Sequence, residues 1–162
     1  MSTFVSVGNA TQPFRRLLDG VAAIASELPQ PVYVQSGSTP FQADNCEGAP
    51  FLGMKEFEDR VRHSTLLIMH AGAGTLITAL QERKVPVVMP RRVADGEIID
   101  DHQLEFAREL AAAGRIVIAH EAVGLLSAAR DALARQSNVP LAGTTPAMVA
   151  LIGDVLGRYA SR

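Results

Sequence analysis

A chain of 162 residues, 48% of them apolar, has enough material for one globular domain with a buried core. Its formal net charge of −2 disfavours a general nucleic-acid binder, which usually carries a basic excess. The single cysteine, Cys46, excludes an internal disulfide and leaves a cysteine-based metal cluster without ligands, so we expect a cytoplasmic location. No apolar run approaches the roughly 18 residues of a membrane span.

The first third of the chain alternates between predicted strands and helices. Strands are predicted at residues 4–7, 32–35 and 51–52. Helices with an apolar stripe are predicted at residues 13–28 and 54–62. Residues 36–50 have no convincing period and are interpreted as a loop. Polar residues and glycines follow the first two strands, namely Gly8, Asn9, Ser36, Gly37 and Ser38.

Residues 65–90 have the pattern of a strand, a glycine turn, a short helix and a second strand. Residues 66–69 and 85–89 are continuous apolar runs, typical of parallel strands covered by helices on both faces. The turn between them reads His70, Ala71, Gly72, Ala73, Gly74, Thr75. Exposed amides at a helix start suit a diphosphate. The two glycines fit a purely structural tight turn equally well, and the spacing leaves both interpretations open.

The remainder continues the alternation. Residues 91–103 form a polar connection that starts at the carboxyl end of a strand, where open α/β sheets bind ligands. A helix marked by Ile99, Phe106 and Leu110 then ends at Gly114. A strand at residues 115–118 and helices at about 121–135 and 144–162 follow. The last helix has a broad apolar arc that either docks a partner or packs on its own sheet. The pattern predicts an α/β fold, a single Rossmann-like domain over residues 1–162 with a mainly parallel sheet.

Four motifs in this order resemble the carboxy-terminal, donor-binding domain of family 28 glycosyltransferases. They are residues 5–8 with 13–14, residues 34–38, residues 70–75, and residues 90–91 followed by 101–103. The closest resemblance is to the single-domain subgroup of Alg13-like subunits and similar bacterial exopolysaccharide glycosyltransferase subunits. It implies the nucleotide-binding half of a GT-B fold and a UDP-sugar donor such as UDP-N-acetylglucosamine.

The resemblance also implies which residues bind the donor. The turn from His70 to Thr75 holds the nucleotide-sugar in that family, and Arg91, His102 and Gln103 line the same cleft. Arg91 would supply a cation to the diphosphate. The substrate-binding residues implied are Gly8, Asn9, Ser36, Gly37, Ser38, His70, Ala71, Gly72, Ala73, Gly74, Thr75, Arg91, His102 and Gln103. One departure is Thr78, which stands where many relatives have an acidic residue that accepts hydrogen bonds from the ribose.

GT-B enzymes transfer sugar across a cleft between two domains, and this chain has length for one. The predicted function is therefore that of the donor-binding subunit of a two-component glycosyltransferase that transfers a hexosyl group to a lipid-linked or polysaccharide acceptor. The partner implied is a membrane-associated, acceptor-binding Alg14-like subunit, which would hold the chain peripherally at the inner face of the membrane. No cofactor, metal ion or nucleic acid is expected, and no catalytic residue is assigned.

Two other functions are considered. A non-catalytic, nucleotide-binding regulatory module would carry the same motifs. An NAD(P)-dependent oxidoreductase would explain the glycine turn, but the dinucleotide pattern wants a third glycine where Ile77 stands. The turn also follows the fourth predicted strand rather than the first, which further disfavours the oxidoreductase.

Overall fold

The structure is a computed structural model that describes residues 1–139 and the single positions 150, 153, 154, 157 and 158. Most of the predicted helix over residues 144–162 lies outside the described residues. The docking role predicted for that helix lies outside them as well.

The described residues form a six-stranded sheet in the order β3-β2-β1-β4-β5-β6, with every neighbouring pair parallel. The strands are β1 Thr3–Ser6, β2 Val32–Gln35, β3 Cys46–Ala49, β4 Leu66–His70, β5 Val87–Met89 and β6 Val117–Ile118. Val5 in the centre of β1 pairs with Val34 on one side and Ile68 on the other. The strand order reverses between β1 and β4, as in doubly wound nucleotide-binding sheets. The predicted Rossmann-like fold is confirmed.

Helices cover both faces of the sheet. They are α1 Arg15–Ile24, α2 Met54–His63, α3 Ala73–Gln81, α4 His102–Ala112 and α5 Leu125–Gln136. On one face, Leu17 of α1 and Leu125 of α5 pack in the same core as Val5. On the other face, Leu76 of α3 and Phe106 of α4 pack with residues of β1, β4 and β5. Burial on both sides explains why these strands are continuously apolar, since each fully buried large side chain contributes about 1.5–3 kcal/mol.

Two details of the predicted elements are wrong. The third strand is Cys46–Ala49 rather than residues 51–52, so the predicted loop over residues 36–50 is too long. β3 pairs so closely with β2 that a Cβ atom at Gly48 would lie 1.9 Å from the carbonyl oxygen of Val34. Backbone pairing rather than side-chain character makes this edge strand. Ile99 is 82% exposed and precedes α4, so it does not belong to the apolar stripe of that helix.

Candidate functional site

A cavity of about 470 Å³ lies beside the carboxyl ends of β1 and β4, where the strand order reverses. Ligands of open α/β sheets bind at this position, and the volume lies within the roughly 300–1,000 Å³ of small-molecule sites. We call this cavity the central cleft. Its lining residues are Ser6, Gly8, Asn9, Gln35, Leu52, Met54, Phe57, His70, Gly72, Gly74, Thr75 and Thr78. Six of the predicted site residues are therefore brought together here.

The start of α3 opens onto the central cleft. Gly72 is the N-cap of this helix, and it makes no side-chain capping hydrogen bond. Gly74, in the first turn, is exposed, and a Cβ atom there would meet nothing within 4 Å. The first N–H groups of a helix have no partner within the helix and carry partial positive charge. This wall of the cleft is therefore suited to an anion.

The imidazole of His70 fits between two glycines. A Cβ atom at Gly8 would lie 2.5 Å from Nε2 of His70, and one at Gly72 would lie 2.2 Å from Cε1. Gly8 also has a φ angle of +75°, which side chains rarely adopt. The two glycines therefore make room for the ring at the end of β4, in addition to shaping the turns.

His70 is neutral at pH 7. Its side chain is only 8% exposed, and burial together with the positive charge of Arg91 lowers its pKa to about 4. Nε2 lies 3.0 Å from Oγ1 of Thr75, in the first turn of α3. Nδ1 is buried and has no hydrogen-bond partner within the described residues. His70 thus contributes polarity to the site without a positive charge.

A short chain of polar groups lines the central cleft, and two of its three residues, Ser6 and Gln35, were not among the predicted site residues. Oγ of Ser6 donates a hydrogen bond to Oε1 of Gln35 (2.7 Å), whose Nε2 donates to Oδ1 of Asn9 (3.1 Å). Ser6 and Gln35 are almost fully buried. A sequence signal for them existed, because each is a polar residue in an otherwise apolar strand, close to its carboxyl end.

Another part of the cleft lining is apolar. Leu52, Met54 and Phe57 line it, and the ring of Phe57 packs edge-on against Phe4 with 5.6 Å between centroids. Phe57 belongs to the apolar stripe predicted over residues 54–62, and nothing in that pattern distinguishes a cleft residue from a core residue. Met54 is 72% exposed, and Phe51, next to Leu52 in the sequence, is 54% exposed.

Thr78 lines the central cleft one turn beyond Gly74. Its hydroxyl donates a hydrogen bond of 3.0 Å to the carbonyl oxygen of Gly74 within α3. Among the described residues, no carboxylate is part of the cleft lining. The acidic residue that many relatives have at the position of Thr78 is thus not replaced by another acid among the described lining residues.

Arg91 has a different environment from the one predicted. Its side chain is buried, and its guanidinium donates three hydrogen bonds to carbonyl oxygens, those of Val7 (2.8 Å), Gln12 (2.8 Å) and Glu97 (2.9 Å). The guanidinium carbon also lies 4.6 Å from the ring centroid of Phe14. Arg91 therefore supports the backbone of the turns around the central cleft and does not line it. Its charge still acts on the cleft through His70.

Glu97 attaches the connection after β5 to α1. It is 4% exposed and accepts hydrogen bonds from Arg16 (Nε 3.1 Å, Nη2 2.7 Å) and from the N–H of Arg92 (2.9 Å). Arg16 also donates to the carbonyl oxygens of Pro90 and His120. Within the described residues, no group of three or more histidines, cysteines or acidic residues is found that could hold a metal ion.

The remaining predicted residues lie outside the central cleft. Ser36, Gly37 and Ser38 line a neighbouring cavity of about 460 Å³. A Cβ atom at Gly37 would lie 2.8 Å from the carbonyl oxygen of Gly8, so the two turns are in contact. Ala71 is buried in the core, and Ala73, the first residue of α3, is half-buried against it. His102 and Gln103 begin α4 and are not among the lining residues of the cleft, although Oε1 of Gln103 is buried without a hydrogen-bond partner in the described part of the chain.

The parallel sheet, with a cleft at its reversal point, defines a Rossmann-like α/β domain. Residues 2–141 match the Glycosyltransferase family 28 C-terminal domain, and the chain belongs to this family. Membership supports a role in sugar transfer with a nucleotide-sugar donor. No curated protein matches the chain. Within the described residues, none of the helices has the length and apolar character that crossing a bilayer requires.

A solved structure confirms the fold. It is the structure described as "Crystal Structure Analysis of the Glycotransferase of kitacinnamycin", with a TM-score of 0.64 and 16% sequence identity. The match covers 95% of this chain and 37% of that chain. The present chain therefore spans little more than a third of that glycotransferase, and the likeness concerns the fold.

Proposed function

We propose that the chain binds a UDP-sugar, UDP-N-acetylglucosamine or a related one, in the central cleft and is the donor-binding subunit of a two-component glycosyltransferase. The observation that carries this proposal is the open start of α3 at the reversal point of the sheet. Gly72 leaves the helix start without a side-chain cap. In the first turn of the helix, a Cβ atom at Gly74 would meet nothing within 4 Å. A diphosphate matches this arrangement in charge and in size.

The chemistry required of this half is modest. As the bond between the sugar and UDP breaks, negative charge grows on the diphosphate. Fixed amide donors at the start of α3 stabilise that charge without having to reorganise. Losing one preorganised donor of this kind typically costs about 3 kcal/mol of transition-state stabilisation. A metal ion is not required for this stabilisation.

The acceptor would be presented by a second chain. Phe51 and Met54 are exposed apolar residues beside the central cleft, and such residues at the rim of a site favour coverage by a partner. In this proposal the partner is membrane-associated, binds a lipid-linked or polysaccharide acceptor and receives the hexosyl group. The chain itself would then act on the cytoplasmic side of the membrane.

Thermal unfolding with added ligands tests donor binding. A ligand at 100 times its dissociation constant stabilises by about 2.7 kcal/mol, and each kcal/mol raises the melting temperature of a domain of this size by roughly 2–4 °C. We expect UDP and UDP-N-acetylglucosamine to raise the melting temperature, and ADP and NAD to leave it unchanged. A response to NAD alone would overturn the proposal, and no response to either uridine ligand would count against it.

Transfer of labelled sugar distinguishes a transferase subunit from a regulatory module. The chain is mixed with labelled UDP-N-acetylglucosamine and membranes of its source organism, which supply partner and acceptor. We expect label in the lipid or polysaccharide fraction only when the chain is added. Binding of the donor without any transfer would favour the regulatory module.

A further inference from the structure

A hydrogen bond joins the end of β4 to the first turn of α3 at the back of the central cleft. Its two atoms are Nε2 of His70 and Oγ1 of Thr75, 3.0 Å apart. The imidazole is 8% exposed and held between Gly8 and Gly72. Nδ1, the other ring nitrogen, is buried without a partner in the described residues. Thr75 is therefore the one hydrogen-bond partner that the described residues give to this ring.

The unpartnered Nδ1 indicates which ring nitrogen carries the hydrogen. A neutral imidazole has one N–H group and one lone pair. With the hydrogen on Nδ1, a buried donor would be left without an acceptor. With the hydrogen on Nε2, that hydrogen is donated to Thr75, and only a lone pair is left unused. Unpaired buried N–H groups are rarer in proteins than underused acceptors. The Nε2–H form is therefore favoured.

This form of the ring determines what the Thr75 hydroxyl can do. The hydroxyl oxygen accepts the hydrogen bond from His70, so its own hydrogen remains available as a donor. Thr75 lines the central cleft and is the third residue of α3, next to the open space at Gly74. The hydroxyl hydrogen is thus available to a ligand in the central cleft, at the same helix start that exposes its amides.

We propose that His70 is a positioning residue whose Nε2–H fixes the Thr75 hydroxyl as a hydrogen-bond donor to the diphosphate of the sugar donor. The inference rests on the proposed function. Thr75 contacts the ligand in this arrangement, and His70 acts only through Thr75. A protonated His70 would instead offer charge, but its deep burial and the nearby Arg91 keep the ring neutral.

Calorimetric titration of a double-mutant cycle tests the coupling. The variants are His70→Leu, Thr75→Val and the double variant, each titrated with UDP and with uridine, which lacks phosphates. We expect each single change to weaken UDP binding about tenfold, since one hydrogen bond to a charged group is lost. The double variant should bind UDP no more weakly than Thr75→Val. Uridine binding should be unchanged throughout.

Two conservative variants separate positioning from packing. His70→Gln keeps an N–H donor at a similar reach, and Thr75→Ser keeps the hydroxyl, so both should retain UDP affinity within about threefold. Melting temperatures of all variants report whether each one folds. If His70→Leu weakened UDP binding by the same factor in the presence and in the absence of Thr75→Val, or weakened uridine binding equally, the inference would be overturned.

Nitrogen NMR of the ligand-free chain at pH 7 provides a readout that needs no ligand. The chain has 4 histidines, and the His70 signals are those absent in the His70→Gln variant. We expect a protonated Nε2 and an unprotonated Nδ1. A hydrogen on Nδ1 would overturn the inference whatever the binding data show. Failure of UDP to bind the unaltered chain would instead overturn the proposed function, so the two failures are distinguishable.

Discussion

Cε1 of His70 lies 2.2 Å from the point where a Cβ atom at Gly72 would stand. The ring of His70 therefore excludes any side chain at Gly72. Two positions further on, a Cβ atom at Gly74 would meet nothing within 4 Å. The sequence left both a structural turn and an anion site open for this glycine pair. In the structure the packing requirement applies to Gly72, whereas Gly74 is free to face a ligand.

Replacing Gly72 with alanine should destabilise the protein. The added methyl group would overlap the imidazole, which is buried and has little room to move away. Overpacking of this kind typically costs about 1–3 kcal/mol. Urea denaturation followed by circular dichroism measures the loss. An unchanged free energy of unfolding would mean that the imidazole of His70 can adopt another conformation in the variant.

The matched variant Gly74→Ala should behave in the opposite way. No atom lies within 4 Å of the added Cβ, and alanine is favoured over glycine in a helix by up to about 1 kcal/mol. We expect unchanged or slightly higher stability. We also expect UDP affinity to fall about tenfold, because the methyl group displaces the ligand from the helix amides. Unaltered affinity in a titration would place the diphosphate elsewhere.

Stability should fall as the pH is lowered from about 6.5 to about 4. The folded pKa of His70, about 4, lies below the ordinary value of 6.5, so folding favours the neutral ring. The contribution is fully present above pH 6.5 and is lost as the pH falls towards 4, amounting to about 3 kcal/mol. Carboxylates titrate in the same range. The comparison is therefore with His70→Gln, whose stability should fall less steeply, and parallel curves would contradict the prediction.

Glu97→Gln should loosen the connection after β5. Glu97 is almost fully buried, and its carboxylate accepts hydrogen bonds from both Arg16 and the backbone of Arg92. In glutamine, one of the two carboxylate oxygens is replaced by an NH₂ group, which would face an N–H donor. We expect the free energy of unfolding to fall by about 2–3 kcal/mol. Asp95→Asn is the control, because the half-exposed Asp95 lies 3.7 Å from Arg16. Equal losses of unfolding free energy for Glu97→Gln and Asp95→Asn in chemical denaturation would contradict the prediction.

Thr78→Glu should strengthen the binding of UDP relative to 2′-deoxyuridine diphosphate. Thr78 lines the central cleft, and no described lining residue is acidic. A carboxylate accepts hydrogen bonds from ribose hydroxyls, and the gain of one such bond corresponds to about a fivefold preference. The comparison with Thr78→Gln isolates the charge. Without any gain in preference for the ribonucleotide, the ribose would have to lie away from α3.

The sequence was sufficient for most of the fold because the strands β1, β2, β4 and β5 are apolar on both faces. β3 was misplaced because Cys46–Ala49 has little β propensity and is held by backbone pairing with β2. Such pairing depends on where the chain returns to the sheet edge. A local pattern does not contain that information.

Part of the site was equally accessible from the sequence. The family resemblance implied that Gly8 and residues 70–75 bind the same donor, and in the structure both turns line the central cleft. Arg91 was different, because its role depends on carbonyl groups contributed by Val7, Gln12 and Glu97. Those positions are up to 84 residues away along the chain. Burial of Arg91 therefore had no local signal.

The attachments of Glu97 and Arg16 have a consequence for the cost of ligand binding. Arg16 reaches the carbonyl oxygens of Pro90 and His120, so it joins the ends of β5 and β6 to α1. The connection after β5 is thereby ordered before any ligand arrives. Fixing a flexible loop on binding costs about 1–2 kcal/mol of backbone entropy per residue. In the proposed donor complex, no such entropy loss would arise from this connection.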